Sequence, residues 1–378
     1  MGSVLGFIVA LVPLIALHEM GHMFVAKWIG VWVREFGIGL PPRIAKLFKW
    51  QETEFTLNAL PLGGFARMEG EDILETPQAS TEETAEMSEE EREAKKHSLY
   101  AQPPGKRMLI FAGGSMMNFI TGWVLAILLF LTGVPVIDAM QVKITQVVPN
   151  SPAAAADLQA GDTIVSVNEQ PIDDIELVTE LTQDNLGEEI TLTVTRDGEE
   201  RTVSLTPRVD PPPNEGAMGV LLTGEPTEYH VEATPLPRAL LNGTLSFFNI
   251  ILQTLWAPIR ILQGIIPLEA ARPVGIVNIS RIAYDSIQQS FTTGTLIPIL
   301  NLLILVNVSL GVFNLLPIPA LDGGRILLTA IEKIRNKPLS PRIQERVHQV
   351  ALIIFMLLFV VITVLDLLYP VSLPTQLP

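Results

Sequence analysis

The chain has no cysteine among its 378 residues. That absence excludes a disulfide framework, a thiolate metal site and a cysteine nucleophile, so any metal must rest on histidine and carboxylate. Charge is also scarce: Asp, Glu, Lys and Arg make up 17% of the residues, against 48% hydrophobic ones. With a mean hydropathy of +0.38, the chain is too apolar for an ordinary soluble protein and far from disordered. Basic residues are the rarer sign, 25 against 40 acids, for a net charge of −15. No basic patch interrupts that excess, so no nucleic-acid partner is expected.

What the chain does have is long apolar runs, at about 3–29, 108–131, 239–266, 295–321 and 349–369. At about 1.5 Å per residue each is long enough to cross a hydrocarbon core of roughly 30 Å. The expected fold is an α-helical polytopic membrane protein with about four transmembrane helices. The first run has no Lys or Arg before it and no small-residue cleavage site after it, so it reads as a retained helix rather than a secretory signal. The run at 239–266 contains Pro258 and Arg260 with Asn242, Asn249 and Gln253, and reads as a membrane-surface or re-entrant segment. Basic residues concentrate on the cytoplasmic side of a membrane. Residues 27–107 hold 11 of the 25, whereas 134–235 hold four beside 19 acids. The first loop is therefore expected inside, and the 134–235 segment with both termini outside.

Within that outer segment the pattern changes to period-2 runs, such as Thr163–Val167 and Ile190–Thr195, with the hairpin signal Asp197-Gly198 after the second. Ser151-Pro152-Ala153-Ala154 leading to Ala160-Gly161-Asp162-Thr163 resembles the bacterial PDZ pattern. The resemblance implies an inserted α+β domain, core 142–207, that binds an extended peptide at a sheet edge, with Ala217–Val220 as its peptide-binding loop. The expected division is a membrane core over 1–133, the PDZ-like domain over 134–235, a surface or re-entrant region over 236–294 and a second part of the core over 295–378. Acidic residues 69–97 read as a solvated insertion, with a capping box that starts a short helix at Ser88.

The chemistry lies in the first apolar run, where His18-Glu19-Met20-Gly21-His22 matches H-E-x-x-H. Spacing i, i+4 stacks both imidazoles on one helical face, where they can share a Zn²⁺, and Glu19 is placed to take a proton from water. Three ionisable side chains within five residues of a membrane helix signal function. A catalytic zinc wants a third protein ligand. His97, His230 and His348 fall in loops or at helix ends, so Asp322, beside the helix-breaking Pro317, Pro319, Gly323 and Gly324, is the better candidate.

His18–His22 together with Asn314-Leu315-Leu316-Pro317-Ile318-Pro319-Ala320-Leu321-Asp322-Gly323-Gly324 resembles the site-2 protease family of intramembrane zinc metalloproteases. The likeness extends to Pro61–Phe65, similar to the family's membrane-associated β-hairpin, and to Gly114–Asn118, similar to its G-x-x-x-N motif. It implies one Zn²⁺ on His18, His22 and Asp322, with Glu19 as general base. It further implies cleavage of single-span membrane proteins, of the anti-sigma-factor or signal-peptide-remnant class, in a bacterial cytoplasmic (inner) membrane after an upstream site-1 protease. Gly63, Gly64, Pro317 and Pro319 are the implied substrate-binding positions. Asn118 and Asn314 either hold substrate backbone or an oxyanion, or bond one helix to another. The run 54–60, continued by 65–68, is expected to offer an edge strand to the unwound substrate. Two other classes remain: a catalytically inactive PDZ scaffold, which would be expected to lose Glu19, and a metal-dependent transporter, which would more often show repeated halves.

Overall fold

The apolar run that carries the His-Glu motif forms α1 (Val12–Ile29), preceded by a π-helical turn at Phe7–Leu11. Gly30, at φ +94°, closes it in the left-handed conformation and returns its N–H to the carbonyls of Ala26 and Lys27. The computed structural model describes residues 6–71, 88–212, 215–265, 273–337 and 339–370. They fall into two units, Met1–Thr132 with Thr234–Thr375, and the inserted Gly133–Ala233.

After α1 the chain builds a curled sheet from β1 (Val33–Trp50) and β2 (Thr53–Met68). Residues 35–38 pair on one side with 64–67 and on the other with 54–57, while 43–50 pair with 53–58. The run 54–57 is therefore enclosed, and the edge segments are 43–50 and 64–68. Lys27 pins the turn between β1 and β2: its Nζ lies 2.6 Å from Glu52 Oε1 and 4.8 Å from the centre of the Trp50 ring. Helix α2 (Glu89–Lys96) follows Ser88, and the rest of the acidic insertion, 72–87, lies outside the described residues. Helix α3 (Pro104–Thr132) then packs on α1. The two backbones meet at glycines, since a Cβ on Gly113 would lie 2.7 Å from the Gly21 carbonyl oxygen.

The inserted unit comprises β3 (Val134–Val147), α4 (Pro152–Ala155), β4 (Thr163–Val167), β5 (Gln170–Pro171), α5 (Ile175–Asp184), β6 (Ile190–Arg196), β7 (Glu199–Leu205) and β8 (Val220–Glu232). Its sheet runs β7-β6-β4-β3-β8, with β5 on β4. Asp197 and Gly198, at φ +54° and +86°, turn β6 into β7, the backbone a type I′ hairpin needs. Alternation in β6 buries Ile190, Leu192 and Val194, and these join Val142, Ile144, Ile164 and Val167 in one aliphatic core. Of the expected peptide-binding loop, Ala217 and Met218 are buried, and the carbonyls of Met218 and Gly219 accept from Ala153 and Val148. That part of the loop braces the start of α4.

The first unit resumes with α6 (Leu236–Leu262), α7 (Ile276–Thr293), α8 (Ile297–Asn314), α9 (Asp322–Arg335) and α10 (Pro341–Leu368). Among the described residues α3, α6, α8 and the Gln349–Leu368 part of α10 are long and apolar enough to cross a membrane. Helix α6 covers the run read from the sequence as a surface or re-entrant segment. Pro258 is absorbed inside one 27-residue helix, whose Gly243 packs on α3, where a Cβ would lie 2.7 Å from Ile127 Cα. The apolar run at 295–321 also divides: the helix stops at Asn314, and Pro317 and Pro319 keep 315–321 non-helical until α9 starts at Asp322. Helix α10 is largely uncovered, yet Asp366 within it is fully buried. It accepts from Gly275 N, Asn278 N and Asn278 Nδ2 at 2.8–3.2 Å, and so caps the amides at the N-terminus of α7.

Candidate metal and catalytic site

Helical spacing sets His18 and His22 one above the other on α1, and the break before α9 delivers Asp322 to them. Asp322 Oδ2 lies 3.1 Å from His18 Nε2 and 3.2 Å from His22 Nε2, and the two Nε2 atoms are 3.3 Å apart. The aspartate thus faces the histidines.

These three atoms fit a metal. The Ile110 carbonyl, 2.9 Å from His22 Nδ1, can only accept, so Nδ1 carries the proton and the neutral ring turns the lone pair of Nε2 toward Asp322. Two lone pairs at that distance need a proton or a cation between them. His18 Nε2 is a third converging atom, and tetrahedral bonds of about 2.0–2.1 Å to one cation would set the three ligand atoms roughly 3.3 Å apart, as they are here. His18, His22 and Asp322 form the candidate metal cluster among the described residues. Asp322 Oδ2 is buried without a hydrogen-bond partner, as a ligand atom awaiting a cation would be.

Helix α3 presses on both imidazoles. A Cβ at Gly114 would lie 2.6 Å from His18 Nε2, so only glycine leaves the rings their place. Asn118, one turn on, is fully buried, with Nδ2 3.1 Å from His18 Nδ1. Sequence reasoning assigned Gly114 only to a motif and gave the Ile110 carbonyl no part, because both act through a crossing of α1 and α3 that no local pattern encodes.

A cavity of about 950 Å³ opens on these groups. Glu19, Gly63, Gly64, Asn314 and Pro319 line it beside the three candidate ligands, while Asn118 and Pro317 do not. Gly64 sits against the general-base candidate: a Cβ there would lie 3.2 Å from Glu19 Cγ. The sheet edge 64–68 therefore starts beside Glu19. Arg107 and Arg325 also line the cavity. Arg107 is held by a buried pair with Glu332 at 2.6 Å, and Arg325 by Glu71 at 2.8 Å. Both pairs join distant parts of the sequence, 225 and 254 residues apart, and sequence reasoning missed them. His97 is used elsewhere: it stacks on Trp32 with ring centres 4.6 Å apart, and its Nδ1 lies 2.6 Å from the Gly30 carbonyl. His230 lies in β8 of the inserted unit.

The model of peptidase family M50 matches residues 6–358. A zinc metalloprotease RasP of Oceanobacillus iheyensis is 28% identical over 438 residues, covering 96% of this chain and 98% of that one. The regulator of sigma-W protease RasP of Bacillus subtilis is 28% identical over 426 residues, with 96% and 97% covered. A putative zinc metalloprotease of Clostridium perfringens is 31% identical over 378 residues, with 96% and 98% covered. Among solved structures, the PDZ domain of an SdrC-like protein from Listeria monocytogenes aligns with 21% of this chain and 85% of that one. Its identity to this chain is 18% and the TM-score is 0.19.

Proposed function

This chain belongs to peptidase family M50, and from that premise we propose that it cuts the transmembrane segments of single-span membrane proteins, with Glu19 as general base. It is an integral membrane zinc metalloprotease with an inserted PDZ-like domain. His18, His22 and Asp322 are the proposed ligands of one Zn²⁺. The observation that carries the reading is the convergence of their three acceptor atoms within 3.1–3.3 Å on a cavity that Glu19 also lines. Zinc supplies Lewis acidity there, polarising a peptide carbonyl and making water acidic near neutral pH.

The chain's own groups do the rest. Glu19 takes the proton of the attacking water and passes it to the leaving amine. A substrate helix must unwind before its carbonyl reaches the site, and each backbone group freed in an apolar setting costs several kcal/mol unless it finds a partner. The edge 64–68 offers such partners by strand addition, beginning at Gly64 against Glu19. Asn314, on the cavity wall, is placed to hold substrate backbone or an oxyanion.

The proposed setting is a bacterial inner membrane. The PDZ-like unit lies outside, where it admits substrates already trimmed by a site-1 protease, and the acidic insertion lies in the cytoplasm. Single cysteines at Asn185 and Ser88 should label oppositely with an impermeant thiol reagent on intact cells, and labelling at Ser88 alone would reverse the topology. For the chemistry, the test is cleavage of a single-span substrate by purified Glu19→Gln. A fall of about 10²–10⁴-fold with zinc retained supports the general base; unchanged cleavage refutes it.

A further inference from the structure

Two imidazoles that share a metal through Nε2 need their Nδ1 atoms protonated and engaged, so that ring orientation and tautomer are both fixed. His22 obtains this from the Ile110 carbonyl, 2.9 Å from Nδ1. The corresponding neighbour of His18 is the carboxamide of Asn118, whose nitrogen lies 3.1 Å from His18 Nδ1 while its Oδ1 is buried without a partner. Ile110, Gly114 and Asn118 recur every four residues along α3. One stripe of that helix thus presents a carbonyl to the first imidazole, a gap to both and an amide to the second.

We propose that Asn118 is a positioning residue for His18: with its carboxamide turned half a rotation, Oδ1 accepts the Nδ1 proton and leaves the lone pair of Nε2 for the metal. The proposal rests on His18 being a zinc ligand. With an Asn118 N–H donated to Nδ1 instead, the ring proton would sit on Nε2, directed into the space between Asp322 Oδ2 and His22 Nε2 at 3.1 and 3.3 Å. That is the place of the cation. The two ends of a carboxamide have nearly the same shape, so the half-turn displaces no neighbour. The NH2 group then takes the position of the unpartnered Oδ1. Asn118 does not line the cavity, so the role is exerted through His18 and not on substrate.

Chelator-competition titration of zinc on the detergent-purified full chain tests this with Asn118→Leu, Asn118→Asp and His18→Ala. Leucine fills similar space but accepts nothing, and its zinc affinity should fall about ten- to a hundredfold. Aspartate only accepts, and should restore affinity to within about threefold of the natural chain, a rescue that a merely space-filling role would not give. Natural affinity in Asn118→Leu overturns the proposal, as does an Asn118→Asp variant that melts normally yet binds as weakly as leucine. Should the leucine variant not fold, nitrogen-15 histidine spectra of the zinc-loaded natural chain decide: a protonated, hydrogen-bonded His18 Nδ1 supports the proposal and an unprotonated one refutes it. His18→Ala separates the two claims. If it keeps its zinc, the ligand assignment falls; if it loses zinc while Asn118→Leu keeps it, only the positioning role falls.

Discussion

The two units treat their buried polar atoms differently. Among the described residues six buried side-chain atoms have no hydrogen-bond partner: Arg107 Nε, Ser115 Oγ, Asn118 Oδ1, Ser290 Oγ, Asn307 Oδ1 and Asp322 Oδ2. All six belong to the membrane-embedded unit and none to the inserted one. In the inserted unit Asp162 is fully buried, but Arg196 Nε and the Gln159 amide meet it at 2.6 and 2.8 Å. An unsatisfied buried group costs about 1–3 kcal/mol, so a fold keeps several only where water, an ion or a substrate completes them. In the membrane unit Asp366 and Glu332 complete the fold in the same way, while Asn118 Oδ1 and Asp322 Oδ2 are left unpartnered beside the two histidines.

The sharpest way to break that contrast is to remove a candidate ligand. His18→Ala, His22→Ala or Asp322→Ala should each lose most of the bound zinc and with it detectable cleavage, measured by metal analysis and a single-span substrate. Zinc retained at full stoichiometry in all three would leave the orphaned Asp322 oxygen without its explanation. Next in size is Gly114→Ala, whose methyl would press within 2.6 Å of His18 Nε2. It should weaken zinc binding at least tenfold, on the order of what a displaced metal-site support costs. Gly105→Ala, with open space around its Cβ position, is the matched control and should bind normally.

Legibility in the sequence follows the same division. His18, Glu19 and His22 are readable because a helix fixes their relation within five residues, and Asp322 because Pro and Gly at the end of an apolar run mark a break. The Ile110 carbonyl and the place of Asn118 behind His18 were not readable, since both depend on how closely Gly21 and Gly113 let two helices approach. The sheet shows an intermediate case. The runs 54–60 and 65–68 were visible as strand-forming, but only pairing with 35–38 decides that 54–57 is enclosed and 64–68 is the edge. Helix α6 is a further intermediate case: Asn, Gln and Pro marked its run as unusual, while its continuity through Pro258 is a property of the folded helix.

A smaller effect is expected in the inserted unit from Asp162→Asn. Burial alone would raise the Asp162 pKa, but the bonds from Arg196 and Gln159 outweigh it and hold the carboxyl below its ordinary value. The native pKa is depressed, so the carboxylate stabilises the fold above the unfolded value of about 3.9 and loses that contribution as pH falls through the native one. Substitution should lower stability at neutral pH, because Arg196 keeps its charge with its main partner gone. Proteolysis of the 133–233 unit in the intact chain reads this out. The variant should also lose part of the acid sensitivity below about pH 4, and an undiminished acid transition would assign that sensitivity to other carboxylates.

The smallest effect expected is that of Ser151→Ala, at the start of α4. Ser151 is extended, at φ −89° and ψ 163°, and its buried Oγ accepts from Ala154 N at 3.1 Å, the geometry of an N-cap. Alanine leaves that amide without its partner, at a cost of about 1 kcal/mol. The loss should appear as slightly faster proteolysis or hydrogen exchange around 151–158, with zinc affinity unchanged, because the bond is wholly internal to the inserted unit. The contrast between units turns on that second measurement. A zinc affinity that moved with Ser151 would mean that the inserted domain's own hydrogen bonds help set the metal site, and the two units would then have to be treated as one energetic system.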